Sequence, residues 1–143
     1  MSLTVRRPRD DDELAAALAL REAVFCTEQG VALDADRDGL DGEAVHLVAI
    51  DRGTVVGTCR LLIEPGATAR FGRLCVASSE RRRGVAGALL EGAEREARTG
   101  GARRVGMHAQ TGALELYRRA GYTPYGEPFD EEDIEHLGME KSL

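Results

Sequence analysis

Apolar and polar residues alternate through residues 3–7 (LTVRR), and that period of two predicts a short opening strand. The next stretch, DDDELAAALALREAVFCTEQG, is rich in alanine and leucine and predicts a helix. Asp10 to Asp12 suit its N-cap and the positive end of its dipole, and Gly30 is a plausible stop. Residues 45–51 (VHLVAID) and 54–63 (TVVGTCRLLI) are β-branched runs separated by Arg52-Gly53, a hairpin signal. A further strand is expected at 68–77 (TARFGRLCVA). From Gly84 to Ala97, the positions Ala86, Leu89, Leu90, Ala93 and Ala97 fall on one helical face, and Gly100-Gly101 ends it. RRVGMHAQ (103–110) reads as a strand. Ala113, Leu116, Tyr117 and Ala120 have the spacing of a short helix, with Gly121 as its stop. Residues 134–140 alternate weakly, as a last strand would. The expected order is β-α-β-β-β-α-β-α-β, a single sheet with helices packed on it.

Composition narrows the class. With 143 residues, 43% hydrophobic and 31% charged, the chain is expected to form one soluble domain over 1–143. No apolar run approaches the ~18 residues of a membrane span, and MSLTVRRPRDDDE lacks the apolar centre of a secretory signal. A cytoplasmic location without a membrane partner is therefore expected. Cys26, Cys59 and Cys75 are far apart and include no C-x-x-C pair, so they read as reduced thiols rather than metal ligands. A net charge of −6 speaks against a nucleic-acid partner. The charge is uneven, however, with an acidic stretch over 10–43 and a compact basic run at Arg81, Arg82 and Arg83.

Within the acidic stretch, D-A-D-R-D-G (34–39) copies the opening of a calcium-binding loop. Such a loop needs a bidentate glutamate at its twelfth position and a second helix after it. Here that position is Val45, and VHLVAID predicts a strand. No metal is expected.

The basic run is more informative. A strand ends near Val76, and a helix opens at Arg83-Gly84. Arginines at a helix start oppose the dipole unless an anion sits there, held by free N–H groups and guanidinium charge. Gly84, Ala86 and Gly87 are small enough for phosphate oxygens to approach the backbone. The plainer alternative is a solvated basic turn. Neither a P-loop nor a dinucleotide fingerprint is present.

Arg81-x-x-Gly84-x-Ala86 resembles the R/Q-x-x-G-x-G/A acetyl-CoA signature of the GNAT N-acetyltransferases. The preceding R-L-C-V-A resembles that family's core strand, and A-L-E-L-Y-R-R-A-G-Y resembles its short helix with a tyrosine. VFCTEQGV, D-x-x-D at Asp38 and Asp41, His46, MHAQ and PFDEEDIEHLGMEK look like the small bacterial ElaA-like branch. The resemblance covers nearly the whole chain. It implies an α+β, three-layer α/β/α fold with a mixed, mostly antiparallel sheet and splayed central strands.

The resemblance also implies roles. The backbone of Leu74, Cys75 and Val76 would pair with the pantetheine arm of acetyl-CoA. The amides of Arg81, Arg82, Arg83, Gly84, Val85, Ala86 and Gly87 would hold the pyrophosphate. Tyr117 would be the general acid that protonates the departing thiolate, although its helical spacing alone equally suits a core tyrosine. Gln110-Thr111 stands where many relatives carry an asparagine that contacts CoA.

The acceptor side is less determined. His46, His108 and His136 all fall in predicted strands, where a hydrogen-bonded structural role is common. His108 is the preferred base or acceptor contact, because its strand leads towards Tyr117. Glu28 could line the acceptor wall or be a solvated helix-end carboxylate. Asp38 and Asp41 fall in a loop that borders the acceptor slot in GNAT proteins. Arg60 and Arg73 could bind an acidic part of the acceptor or pair with carboxylates. A Cys75–His108 hydrolytic pair is a weaker rival without a supporting motif.

Taken together, these features lead to the expectation of an acetyl-CoA-dependent N-acetyltransferase acting in a ternary complex on a small-molecule or peptide amine. Acetyl-CoA is the co-substrate. A cationic acceptor would be drawn to the acidic side. The alternative is an acyl-CoA-binding sensor or partner domain without catalysis. A homodimer is left open.

Overall fold

Antiparallel neighbours build most of the sheet. In the computed structural model, which describes residues 3–143, β1 (Leu3–Arg6), β2 (Val45–Asp51), β3 (Thr54–Leu62) and β4 (Thr68–Val76) lie side by side in chain order. β5 (Arg104–Gln110), β6 (Thr123–Glu131) and β7 (Ile134–Ser142) complete one seven-stranded sheet of order β1-β2-β3-β4-β5-β7-β6. Only the central β4–β5 pair is parallel. This is the mixed, mostly antiparallel α+β arrangement that the GNAT resemblance implies.

Local chemistry explains the element boundaries. The Asp10 carboxylate accepts from the Glu13 amide at 2.9 Å and caps α1 (Asp11–Arg21). Arg52 and Gly53 both take positive φ, 52° and 78°, as a two-residue hairpin turn that matches strand twist requires. α3 (Val85–Thr99) presents Leu89, Leu90, Ala93 and Ala97 to the sheet. It packs so closely that a Cβ at Gly57 would lie 2.8 Å from Val85 Cγ1. α4 (Leu114–Arg119) adds Tyr117 to the same core. The opposite face is covered by α1, whose Ala17 is buried outside that core cluster. No helix among the described residues is long and apolar enough to cross a membrane.

Three features differ from the sequence expectation. The first helix does not run on to Gly30 as one α-helix: it changes into a π-helical turn (Glu22–Glu28), and α2 (Leu33–Asp36) follows as a separate single turn. π turns carry no distinct composition, so periodicity reads straight through them. The third is β6, in a stretch with no strand signal. Its Pro124, Gly126 and Pro128 break the usual pattern, but β6 is an edge strand whose only neighbour is β7. An irregularity between Tyr125 and Phe129, with Gly126 at φ 70°, absorbs the misfit.

The decisive feature is a split at the sheet centre. β4 and β5 pair only from Thr68↔Arg104 to Arg70↔Gly106. Beyond these residues β4 keeps β3 and β5 keeps β7, so their facing edges have no strand partner among the described residues. β4 also bulges, with Arg73 at φ 55°. The bulge reverses the alternation: Ala69 and Phe71 join the core before it, and Leu74 and Val76 after it.

Candidate active site

The loop between β4 and α3 ends in an uncapped helix. Ser78–Glu80 form a 3-10 turn, Arg82 takes φ 64°, and Gly84 takes φ 82° at the N-cap position without any side-chain cap. The first amide to find an acceptor is that of Ala88, which donates to Gly84 O at 3.1 Å. Among the described residues, no amide from Arg81 to Gly87 has an acceptor in the chain. No acidic residue occupies the first turn of α3, and a side chain at Gly87 would meet open space. What this cradle offers fits a pyrophosphate: free donors, a helix dipole and nearby guanidinium charge.

The loop arginines are placed differently from one another. Arg81 donates through Nε to Val76 O at 3.0 Å and through Nη2 to Glu28 Oε1 at 2.9 Å. Arg83 pairs with Glu80, and with Asp51 at 3.4 Å. Arg82 has no ion-pair partner among the described residues. Glu28, a candidate for the acceptor wall or a solvated helix-end carboxylate, thus reaches the β4–α3 loop from the end of the π turn.

Tyr117 is 6% exposed, packed edge-on against Phe71 and Tyr122 with ring centroids 6.4 and 6.1 Å away. Burial, and then neighbouring Cys59, push its hydroxyl well above the ordinary phenol pKa. The residue stays protonated at working pH. It lines a cavity of about 760 Å³ that also takes in Phe25 and Gln29 of the π-turn region, the split edges of β4 and β5, and the β6–β7 hairpin.

Asp38, Asp41, Arg60 and Arg73 come together, with Arg21 and Asp36, in a closed ring of alternating charge. Arg21 contacts Asp36 at 3.3 Å and Asp41 at 2.7 Å. Arg60 contacts Asp41 at 3.0 Å and Asp38 at 2.5 Å. Arg73 contacts Asp38 at 3.3 Å and Asp36 at 3.2 Å, closing the circuit. Hydrogen bonds from Arg60 hold the Asp38 carboxyl well below its usual range. Burial pushes Asp41 the other way, yet Arg21 and Arg60 outweigh it and lower its pKa. The calcium-like stretch therefore turns its Asp36 and Asp38 towards arginines, and no metal-holding group of three or more His, Cys, Asp or Glu occurs among the described residues. Arg21 carried no sequence signal, since it sits on the inner face of an otherwise ordinary helix, and Asp36 signalled only the calcium-like motif.

The histidines separate. His46 Nε2 lies 2.9 Å from Asp41 O, and His136 Nδ1 lies 2.7 Å from Ile134 O. His108 is 53% exposed, lines the cavity, and meets Glu131 Oε2 through Nδ1 at 2.9 Å. Cys75 lies outside that lining, and burial pushes its thiol up to about 12. No hydrogen bond joins it to His108, so the geometry offers no thiol–imidazole pair. Gln110 donates to Gln29 Oε1 at 2.9 Å.

A family model described as an acetyltransferase (GNAT) domain matches residues 11–143. The chain belongs to the GNAT acetyltransferase family. It is 34% identical over 134 residues to the uncharacterized N-acetyltransferase YjcF of Bacillus subtilis, covering 93% of this chain and 95% of that protein. An acyl-CoA N-acyltransferase structure from Pseudomonas aeruginosa superposes with a TM-score of 0.81 at 31% identity, covering 98% of both chains. Escherichia coli ElaA superposes with a TM-score of 0.84 at 24% identity, again over 98% of each chain. This GNAT protein is accordingly an acetyltransferase.

Proposed function

We propose that this GNAT protein transfers the acetyl group of acetyl-CoA directly to a primary amine of a small molecule or peptide, both substrates being bound at once. The observation that carries the reading is the split between β4 and β5. Strand alternation places Val105, Met107 and Ala109 in the core with Tyr117, so His108 points to the opposite face. A thioester lying in the split would meet a phenol from one side and an amine entering past His108 from the other.

The residues then divide the work. Backbone groups of Leu74, Cys75 and Val76 take the pantetheine arm, and the amides from Arg81 to Gly87 take the pyrophosphate. The amine nitrogen attacks the carbonyl carbon, an N–C bond forms and the C–S bond breaks. The nitrogen loses a proton to a base, and the sulfur gains one from Tyr117. Direct attack needs no covalent enzyme intermediate, in keeping with the buried state of Cys75.

A cationic acceptor suits the cavity. The aspartates and arginines of the ring neutralise one another, which leaves Glu64, Glu131 and Glu132 against Arg70 among the charged lining residues. That excess of carboxylate attracts amines carrying positive charge.

The test is release of free CoA thiol from acetyl-CoA across a panel of neutral, cationic and anionic amines. Turnover with cationic amines is expected. A panel in which only anionic amines react overturns the acceptor assignment, and a modified enzyme formed without amine overturns direct transfer.

A further inference from the structure

The hairpin of β6 and β7 brings a carboxylate to His108, a cavity histidine held through Nδ1 by a side chain, whereas His136 Nδ1 meets the backbone oxygen of Ile134. His108 stands two residues beyond Gly106, the last β5 residue paired with β4. Since Met107 turns into the core, His108 is the first side chain past the split to face the acceptor side. Glu131 comes from the end of β6, which β7 separates from β5. It reaches His108 at 2.9 Å from beside the hairpin turn at Glu132-Asp133, both at positive φ.

The imidazole is held on more than one side. A carboxylate only accepts, so the 2.9 Å contact makes Nδ1 the protonated nitrogen. Phe129 meets the ring edge-on at 4.9 Å and is itself stacked on His136 at 5.9 Å. Across the strand pair, His108 faces Gly138, where the Tyr125 ring lies so close that a Cβ would be 2.6 Å from it. A larger residue at Gly138 would displace Tyr125 from the cavity wall. Among the described residues Nε2 has no partner.

We infer that Glu131 is a positioning residue that holds His108 as the Nδ1–H tautomer, so that Nε2 takes the proton from the acceptor amine. The inference rests on the amine-transfer reading above. As N–C forms and C–S breaks, the nitrogen's proton passes to His108 Nε2 and the Tyr117 hydroxyl proton passes to sulfur. Release of a proton from His108 to water and its return to Tyr117 balance the cycle, with amide and free thiol as products. Glu131 remains a carboxylate throughout, as the orienting carboxylate of a catalytic triad does.

The test combines kinetics with imidazole nitrogen NMR on the full chain. Glu131→Gln is expected to lower kcat by roughly tenfold, with KM for acetyl-CoA unchanged, and Glu131→Asp to recover part of the loss. In a His108→Gln background the second change is expected to cost nothing more. Nitrogen shifts of wild-type His108 are expected to show the Nδ1–H tautomer, and Glu131→Gln to lose that preference. Wild-type kcat in Glu131→Gln, additive losses in the double variant, or an Nε2–H tautomer in the wild type would each overturn the inference. The NMR measurement needs no acceptor, so absence of turnover with every amine strikes the amine-transfer reading while the positioning role is judged separately.

Discussion

Arg21 and Asp36 face each other at 3.3 Å with about 1% of either side chain exposed, the most deeply buried link in the ring that ties α1 and the following loop to β3 and β4. Buried ion pairs are costly to break from one side, because the remaining charge stays desolvated. Arg21→Met is expected to cost about 3–5 kcal/mol of stability. Against the ~5–15 kcal/mol of a typical domain, that is a large fraction. Urea unfolding of the variant measures it, and a loss below 1 kcal/mol would show the ring to be incidental.

The same ring makes stability fall in acid. Asp38 has its pKa depressed by Arg60, so its contribution is present above the unfolded carboxylate value of ~3.9 and is lost as pH falls through the folded value. Asp38→Asn is expected to cost about 1–2 kcal/mol at pH 7. The gap between wild type and variant should narrow below about pH 4. Thermal melts from neutral pH downwards test this, and a constant gap would contradict it.

Glu28 and Arg81, each 41% exposed, pair at 2.9 Å between the π turn and the β4–α3 loop. An exposed pair of this kind contributes ~0.2–1 kcal/mol, so a pyrophosphate should take Arg81 from it readily. Glu28→Gln is expected to tighten CoA binding up to about fivefold, and Arg81→Gln to weaken it about tenfold. Both effects should shrink at high salt. Calorimetric titration with CoA decides the matter, and weaker binding by Glu28→Gln would mean that Glu28 supports the loop.

Tyr117→Phe removes a hydroxyl that makes no hydrogen bond among the described residues, so its folding stability should be nearly unchanged. Turnover is expected to fall about 100-fold with CoA affinity retained. Because burial raises the phenol pKa, the defect should persist from pH 6 to about 9. Steady-state rates over that range check it, and wild-type turnover would remove Tyr117 from the chemistry.

The three thiols should differ sharply. Burial raises Cys75 to about 12 and Cys59 further still, so both should resist a thiol reagent in the native protein at pH 8. Cys26, only partly buried, should react first, and all three after unfolding. Rapid native labelling of Cys75 would show that β4 opens.

How much the chain declared in advance differs by region. The hairpin at Arg52-Gly53, the Asp10 cap and the apolar face of α3 are local, since each depends on residues within a few positions of one another. The strand end, short loop and helix start around Arg81 to Gly87 were legible for the same reason, since they follow one another directly. β6 was not legible, because its Pro124 and Pro128 are tolerated only at a sheet edge, and edge position is a property of the whole sheet.

Sequence by itself determined the family and the type of most elements, because these are written in short-range periodicity and contiguous motifs. Tertiary structure decided which distant charges meet: Arg21 with Asp36, Glu28 with Arg81, and His108 with Glu131. It also decided that β4 and β5 part after Arg70 and Gly106, which sets Tyr117 and His108 on opposite faces of one slot. Such pairings depend on strand order, bulges and register, which no local stretch of residues encodes.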